Sequence, residues 1–376
     1  MSKNILLLVT GMSPAIVTET IYGLAVNPAE GQEKWIPDEV HIISTEHGLN
    51  QIRARLIDQG HFQQLLDDYN LPQIKFGEEY FYPIRDIDGK PQLDLRTPAD
   101  NERAANLICE KVRFFTSDKN EDGSEKSDDE KVTSLHVSIA GGRKTMGFYI
   151  GYALSLYGRA NDHMSHVLVE AAFDETKVAD FYYPTPFQHQ VKDYAGTSWN
   201  AQDATIWLSY IPFVRLRASL PEKSLIKQAT FSEVVASINL ANEPIKIRIE
   251  SKSKKVYVGH KFVKLPPREF SFYQWFAEQK LDDPEAVVQA IVEGENRPIP
   301  RLFELWKGND NLDPTDPKSG TFDHAYFEQR LTMIKRKFTE EFTENVAKLI
   351  MIQHKNGKGS GYILPLDQQQ IEIIKH

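Results

Sequence analysis

Two short turns hold the residue types that could do chemistry. Gly141-Gly142-Arg143-Lys144-Thr145 sets two glycines before two adjacent cations and a hydroxyl, and Thr10-Gly11-Met12-Ser13-Pro14 sets a glycine among hydroxyls. Glycine lets a backbone come close to a ligand. A helix start offers free amides and the positive end of a dipole to an anion, and Arg and Lys add charge that a phosphate can use. Phosphate binding is the chemistry these residues suit. A nucleoside-triphosphatase loop is disfavoured, because GxxxxGK[ST] needs Lys directly after its last glycine and another glycine five positions before. Here Arg143 intervenes and Val137 or Ser138 stands at the earlier position. The dinucleotide fingerprint GxGxxG is missing from both turns, so NAD chemistry is disfavoured as well.

Alternating elements must position these turns. Lys3 to Val9 reads as a buried parallel strand running into the first turn. Ile16, Thr20, Ile21 and Leu24 then recur at helical spacing, with Ser13-Pro14 expected to supply an N-cap and a first-turn proline. Val40 to Ser44 is a second strand, followed by the polar turn Thr45-Glu46-His47-Gly48 and a helix through Ile52, Leu56 and Ile57. A helix is expected from Pro98 to about Phe115, a strand over Leu135 to Ile139, a helix to Tyr157 and a strand over Ser165 to Val169. This rhythm implies a doubly wound, Rossmann-like α/β domain whose strand ends converge on one ligand crevice. Thr10, Gly11, Met12, Thr45, Glu46, His47, Gly141, Gly142 and Thr145 are then the candidate ligand-binding residues. Arg96 and Asn101, at another helix start, join them, although Thr97 and Asp100 there also read as an ordinary capping sequence.

Composition sets the limits. The chain has 376 residues, 41% of them hydrophobic, with a net charge of -9 and a single cysteine, Cys109. That length suggests two domains. One cysteine excludes internal disulfides and multi-cysteine zinc sites, and the eleven histidines show no HExxH. No metal and no cofactor are expected. The apolar run Ile5 to Val9 is too short to span a bilayer, so a cytoplasmic protein without membrane contact is expected. Ser117 to Lys131 has no apolar residue and reads as a solvated inserted loop. The Pro-, Tyr- and Phe-rich stretch 172–200 reads as an arm over something apolar or a plain packing loop, and Ala204 to Arg217 closes the first domain.

Charge divides the chain. Residues 1–220 carry 21 Lys and Arg against 31 Asp and Glu, whereas residues 221–376 carry 23 against 22. The second part begins with Val235 in a helix and with period-two strands at Ile245 to Ile249 and Lys255 to Val258. Phe272, Trp275 and Phe276 share a helix face, a long helix is expected from about Thr321 to Leu349, and Met351 to Leu364 alternates as a basic hairpin around the tip Lys355 to Gly361. That order of elements describes a winged helix.

The turn Ser138 to Met146, the loop Thr10 to Pro14 and the stretch Ile211 to Arg217 together resemble the CRISPR-associated ring nuclease family built on the CARF (CRISPR-associated Rossmann fold) domain. The resemblance covers roughly residues 1–218. It implies that cyclic oligoadenylate, the messenger of type III CRISPR complexes, binds across a homodimer axis. It implies also that the ring is cut without metal, when a ribose 2′-hydroxyl attacks its own 3′-phosphate and leaves linear products with a 2′,3′-cyclic phosphate. Lys144, aided by Arg143, suits stabilisation of the phosphorane, and Ser13 suits a hydrogen bond to the 2′-hydroxyl or a phosphate oxygen. These three are the candidate catalytic residues. The bland alternatives are an N-cap for Ser13, a solvated first-turn lysine for Lys144 and a lining role for His47. Cyclic tetra-adenylate is favoured because its symmetry matches a twofold dimer, which six adenylates also satisfy.

Residues 221–376 resemble a response-regulator-type winged helix through Val263 to Phe270 and the hairpin Gly361 to Pro365. The resemblance implies DNA contacts from Arg330, Lys335, Arg336 and Lys337 on the recognition helix and from Lys355 and Lys358 on the wing. Glu328, Glu340, Glu341 and Glu344 on the same helix argue against this, so docking or dimerisation stands level with DNA binding. The alternative for the whole chain is a cyclic-oligoadenylate-sensing transcription regulator that binds DNA without cutting its ligand. A CARF-gated ribonuclease is disfavoured, since the second part has no RxxxxH pair.

Overall fold

The computed structural model describes residues 3–120, 122, 124–128, 131–174, 177–178, 180–221, 225, 229–240, 244–309, 320–355 and 361–375. The chain divides into two compact units. One comprises Met1–Ala218 with Leu225–Phe231, the other Ser219–Ser224 with Ser232–His376.

The first unit is built on a six-stranded sheet. Its parallel strands are β1 (Lys3–Val9), β2 (Glu39–Ser44), β3 (Phe81–Pro83), β4 (Val132–Ser138) and β5 (His163–Val169). A further edge strand, β8 (Ile206–Tyr210), runs antiparallel to β5. The order is β3-β2-β1-β4-β5-β8. Successive connections step one way from β1 to β3 and then return to β4 on the other side of β1, so the reversal falls between β1 and β4.

Alternation along β1 and β2 sorts their side chains. Leu6, Leu8, Val40 and Ile42 join a core with α1 (Ala15–Ile21), α2 (Glu46–Ile52) and α3 (His61–Asp68). Both α1 and α2 continue into a π-helical turn, at Tyr22–Val26 and Arg53–Asp58. The opposite face holds His41, whose ring lies 4.7 Å from that of Phe115 in α4 (Pro98–Thr116). There α4 packs against α5 (Lys144–Tyr157). Burial pushes His41 down to about 4, and it lies 3.1 Å from Glu39 Oε2. His136 in β4 is fully buried and pushed down to about 3. Cys109 faces inward from α4, its thiol raised to about 12 by burial.

Of the two irregular segments, 172–200 takes the packing alternative: it contributes Phe173, Val178, Phe181, Tyr182 and Tyr183 to the core, and its short hairpin joins β6 (Gln190–Lys192) to β7 (Ser198–Asn200). The stretch 117–131 is not wholly solvated. Lys126 is buried, its ammonium over the Phe114 ring and donating to the Phe114 carbonyl, so its charge is satisfied by groups that composition alone does not display.

In the second unit a helix α6 (Phe231–Asn239) precedes a meander of β9 (Ile247–Glu250), β10 (Lys255–Val258) and β11 (Lys261–Lys264). The last strand, β16 (Ile371–Ile374), adds parallel to β9. The inner face packs on α7 (Pro267–Asp282), whose Phe270, Phe272, Tyr273, Trp275 and Phe276 are all buried. Then come β12 (Asn296–Pro298), α8 (Pro300–Asn309), β13 (Thr321–Asp323), α9 (His324–Glu341) and α10 (Glu344–Ile350). Gln353–His354 (β14) pairs antiparallel with Tyr362–Ile363 (β15). The expected single helix from Thr321 to Leu349 is therefore two. Thr343 interrupts it, because its hydroxyl accepts from the Val346 amide and caps a fresh start.

Candidate functional site

Three strand ends meet beside the β1/β4 reversal, and glycine makes the meeting possible. A Cβ on Gly11 would stand 3.1 Å from Gly142 Cα, and one on Gly141 2.9 Å from the Val9 carbonyl. The turns after β1 and β4 thus touch backbone to backbone. Gly142 also has φ +77°, a left-handed conformation that other residues adopt only under strain. The turn after β2 closes from the other side. A Cβ on Gly48 would lie 2.1 Å from Ser44 Oγ and 2.5 Å from the Gly11 carbonyl, while Ser44 Oγ donates to the Thr10 carbonyl over 2.7 Å. In the sequence Gly48 is one member of the polar turn, and nothing near it in the chain signals these contacts.

The side chains on this edge sort into engaged and unengaged. Ser13 does not cap α1. Pro14 holds the cap position with no side-chain bond, and among the described residues nothing pairs with the Ser13 hydroxyl. Lys144 opens α5, is exposed, and has no ion-pair partner among the described residues. Met12 and His47 are exposed, Glu46 half-buried. Thr10 is fully buried with its Oγ1 unpartnered, its amide donating to the Ile43 carbonyl and its own carbonyl accepting from Ser44, so it shapes the turn rather than facing a ligand. Thr45 caps α2 through a bond from the Gly48 amide. Thr145 donates to Asn101 Oδ1 over 2.7 Å, which ties α5 to the start of α4. The capping alternative for the α4 start is present: Thr97 and Asp100 form a reciprocal box.

Arg143 is the least free of the candidates. Its guanidinium grips both oxygens of Asp94, at 2.7 and 2.6 Å, and Arg96 reaches the same carboxylate at 3.1 Å. Hydrogen bonds from Arg143 first, and from Arg96, hold the Asp94 carboxyl down at about 2. Asp94 stands alone between Leu93 and Leu95, in no motif, and only the fold brings it to the edge. Among the described residues this edge thus presents the Lys144 ammonium without an ion pair, the Ser13 hydroxyl without a partner, and the Lys144 and Thr145 amides at the start of α5. Such a surface can bind and polarise a phosphate. Among the described residues no group of three or more His, Cys, Asp and Glu could hold a metal ion, and no helix is long and apolar enough to cross a membrane.

That geometry now meets a comparison by sequence. The description of CRISPR-associated protein NE0113 matches residues 13–244. The chain belongs to the CRISPR-associated NE0113 family. The match takes in the β2 and β4 turns and begins at Ser13. Among solved structures, that of Can2 from Sulfobacillus thermosulfidooxidans in complex with cyclic tetra-adenylate aligns with 96% of this chain and 75% of its own. The identity is 10% and the TM-score 0.21, too loose an overlap to argue from. No curated protein matches.

In the second unit one candidate DNA contact, Arg330, is corrected. Arg330 is only 4% exposed, and its Nε lies 2.9 Å from Glu269 Oε1, off the line of a good hydrogen bond. It falls on the inward stripe of α9 with Phe327, Ile334 and Phe338, where a DNA phosphate cannot reach it. Arg336 and Lys337 both pair with Glu340, at 3.6 and 2.9 Å. Lys335 is exposed and Lys355 half-buried, while Lys358 lies outside the described residues.

Proposed function

We propose that the chain is a ring nuclease acting on cyclic oligoadenylate, cyclic tetra-adenylate in the first place, and that its reaction switches off type III CRISPR signalling. Two copies cradle the ring across a twofold axis. A ribose 2′-oxygen attacks the adjacent phosphorus as the bond to the 5′-oxygen breaks, giving a linear strand that ends in a 2′,3′-cyclic phosphate. The 2′-hydroxyl proton is lost and the departing 5′-oxygen gains one. Intramolecular attack leaves the protein chiefly to hold the in-line geometry and to stabilise the phosphorane. Lys144 and the α5 amides take the second task, Ser13 fixes the 2′-hydroxyl or a phosphate oxygen, and Arg143 joins them when a phosphate draws it from Asp94.

One observation carries this reading. Ser13 and Lys144 come from turns whose backbones touch at Gly11 and Gly142, and neither has a partner among the described residues. The membership in a CRISPR-associated family supports it. The alternative, a sensor that leaves the ring intact and binds DNA through a winged helix, is weakened by the burial of Arg330 and the pairing of Arg336 and Lys337. Purified protein incubated with cyclic tri-, tetra- or hexa-adenylate in EDTA tests both, with products separated by chromatography. Linear cyclic-phosphate products are expected from the tetramer. Binding without turnover makes the protein a sensor, and turnover only on restoring magnesium removes the metal-free mechanism.

A further inference from the structure

The meander of the second unit has an unusual charge for this acidic chain. Residues 246–264 hold seven Lys and Arg against one acidic residue, Glu250, so the rest of 221–376 is net negative. Period two divides that stretch between two faces. Ile247, Ile249, Val256, Val258 and Val263 point into the core. Arg248, Lys255, Tyr257, Phe262 and Lys264 stand on the outer face, together with Glu250, which lies opposite Lys255 and 3.4 Å from the Arg248 guanidinium.

Register gathers these outer side chains into one platform. Tyr257 lies opposite Arg248 on one side and Phe262 on the other, and Lys255 lies opposite Lys264. The Tyr257 and Phe262 ring centroids are 5.4 Å apart. The Arg248 guanidinium sits 4.4 Å from the Tyr257 ring centre and the Lys255 ammonium 3.8 Å from that of Phe262. Phe262 remains 42% exposed. Beside this patch a cavity of about 420 Å³ is lined by Lys246, Arg248, Tyr257, Gln370 and the single carboxylate Glu372 among others.

We propose that this outer face binds single-stranded nucleic acid. A solvated sheet face needs charge but gains nothing from exposing Phe262. A strand with unpaired bases uses both features, since bases stack on aromatic rings and guanidinium planes while ammonium groups follow the phosphates. A duplex hides its bases and leaves the rings unused. The site is separate from the glycine-lined edge of the first unit, and it does not depend on ring cleavage.

The test is fluorescence anisotropy of full-length protein with labelled U20, dT20 and a mixed-sequence 20-base-pair duplex, titrated at several salt concentrations. Both single strands, or one of them, should bind more tightly than the duplex. With Lys246, Arg248, Lys255 and Lys264 engaged, log affinity should fall with log salt at a slope near about -3. Phe262→Ala should weaken single-strand binding roughly tenfold, and Lys255→Glu with Lys264→Glu should weaken it further. Lys307→Glu with Lys348→Glu, exposed on α8 and α10, should leave it unchanged. Circular dichroism confirms that each variant is folded. Preference for duplex, absence of binding at low salt, or indifference to Phe262→Ala overturns the proposal.

Discussion

Lys144 in the first unit and Arg330 in the second were both read as cations that meet nucleic acid, and they sit in opposite circumstances. Lys144 is exposed at a helix start, where the dipole disfavours a positive charge, and has no partner among the described residues. Arg330 is sealed against Glu269 under α9. A cation held where it gains nothing from the protein is available to a ligand, whereas one already neutralised in the interior belongs to the fold. Charge alone does not separate the two, because both side chains are cationic and the difference lies in the partner each finds.

Substitution sharpens that contrast, and the largest effect is expected at the buried pair. Arg330→Ala should destabilise the second unit by about 3–5 kcal/mol, because it strands the Glu269 carboxylate. Lys335→Ala on the exposed face of the same helix should cost within about 0.5 kcal/mol. Denaturant melts of the two variants measure this, and equal losses would erase the distinction.

Next comes Lys144→Ala, expected to slow ring cleavage by about 10²–10³-fold while changing ligand affinity far less, since the added charge appears in the transition state. Single-turnover rates beside equilibrium binding separate these, and equal losses would make Lys144 a binding residue only.

Acid should then distinguish the units. His41 and His136 stay neutral when folded, with values near 4 and 3, but titrate near 6.5 when unfolded. The unfolded chain therefore binds more protons. Their contribution to stability is whole above about pH 6.5 and falls as the pH drops toward 4. At pH 5 each accounts for a loss of about 2 kcal/mol. Hydrogen-exchange protection factors in β1, β2 and β4, corrected for the intrinsic rate at each pH, should fall between pH 7 and 5, and unchanged protection there would count against it.

The smallest effect belongs to Asp94→Asn. Freed of its exposed ion pair, Arg143 should bind a ring phosphate about two- to fivefold more tightly, as read by ligand titration. Weaker binding would instead make Asp94 the residue that holds Arg143 in its working position.

The parallel sheet was legible because β1 and the centre of β2 are apolar runs ending in polar turns, as buried strands require, and because β4 and β5 follow at the interval of strand and helix. β3 was not, since Phe81-Tyr82-Pro83 is too short to show a period. The glycine turns could be read from composition, but their direct contact could not, and neither could Asp94 or Gly48, which matter only through partners distant in sequence. Arg330 had a readable signal in its spacing with Phe327, Ile334 and Phe338, which puts a charge on an apolar stripe. Thr343 likewise marked a helix start that the continuous amphipathic pattern concealed.

The lone cysteine gives the molecule a chemical clock. Cys109 is fully buried in α4 with a thiol held near 12, so neither access nor ionisation favours an alkylating reagent in the folded state. Labelling then reports the opening of the first unit and is blind to that of the second. Mass spectrometry after a pulse of iodoacetamide can time that opening in unpurified extracts, with no engineered probe and no second thiol to confuse the count.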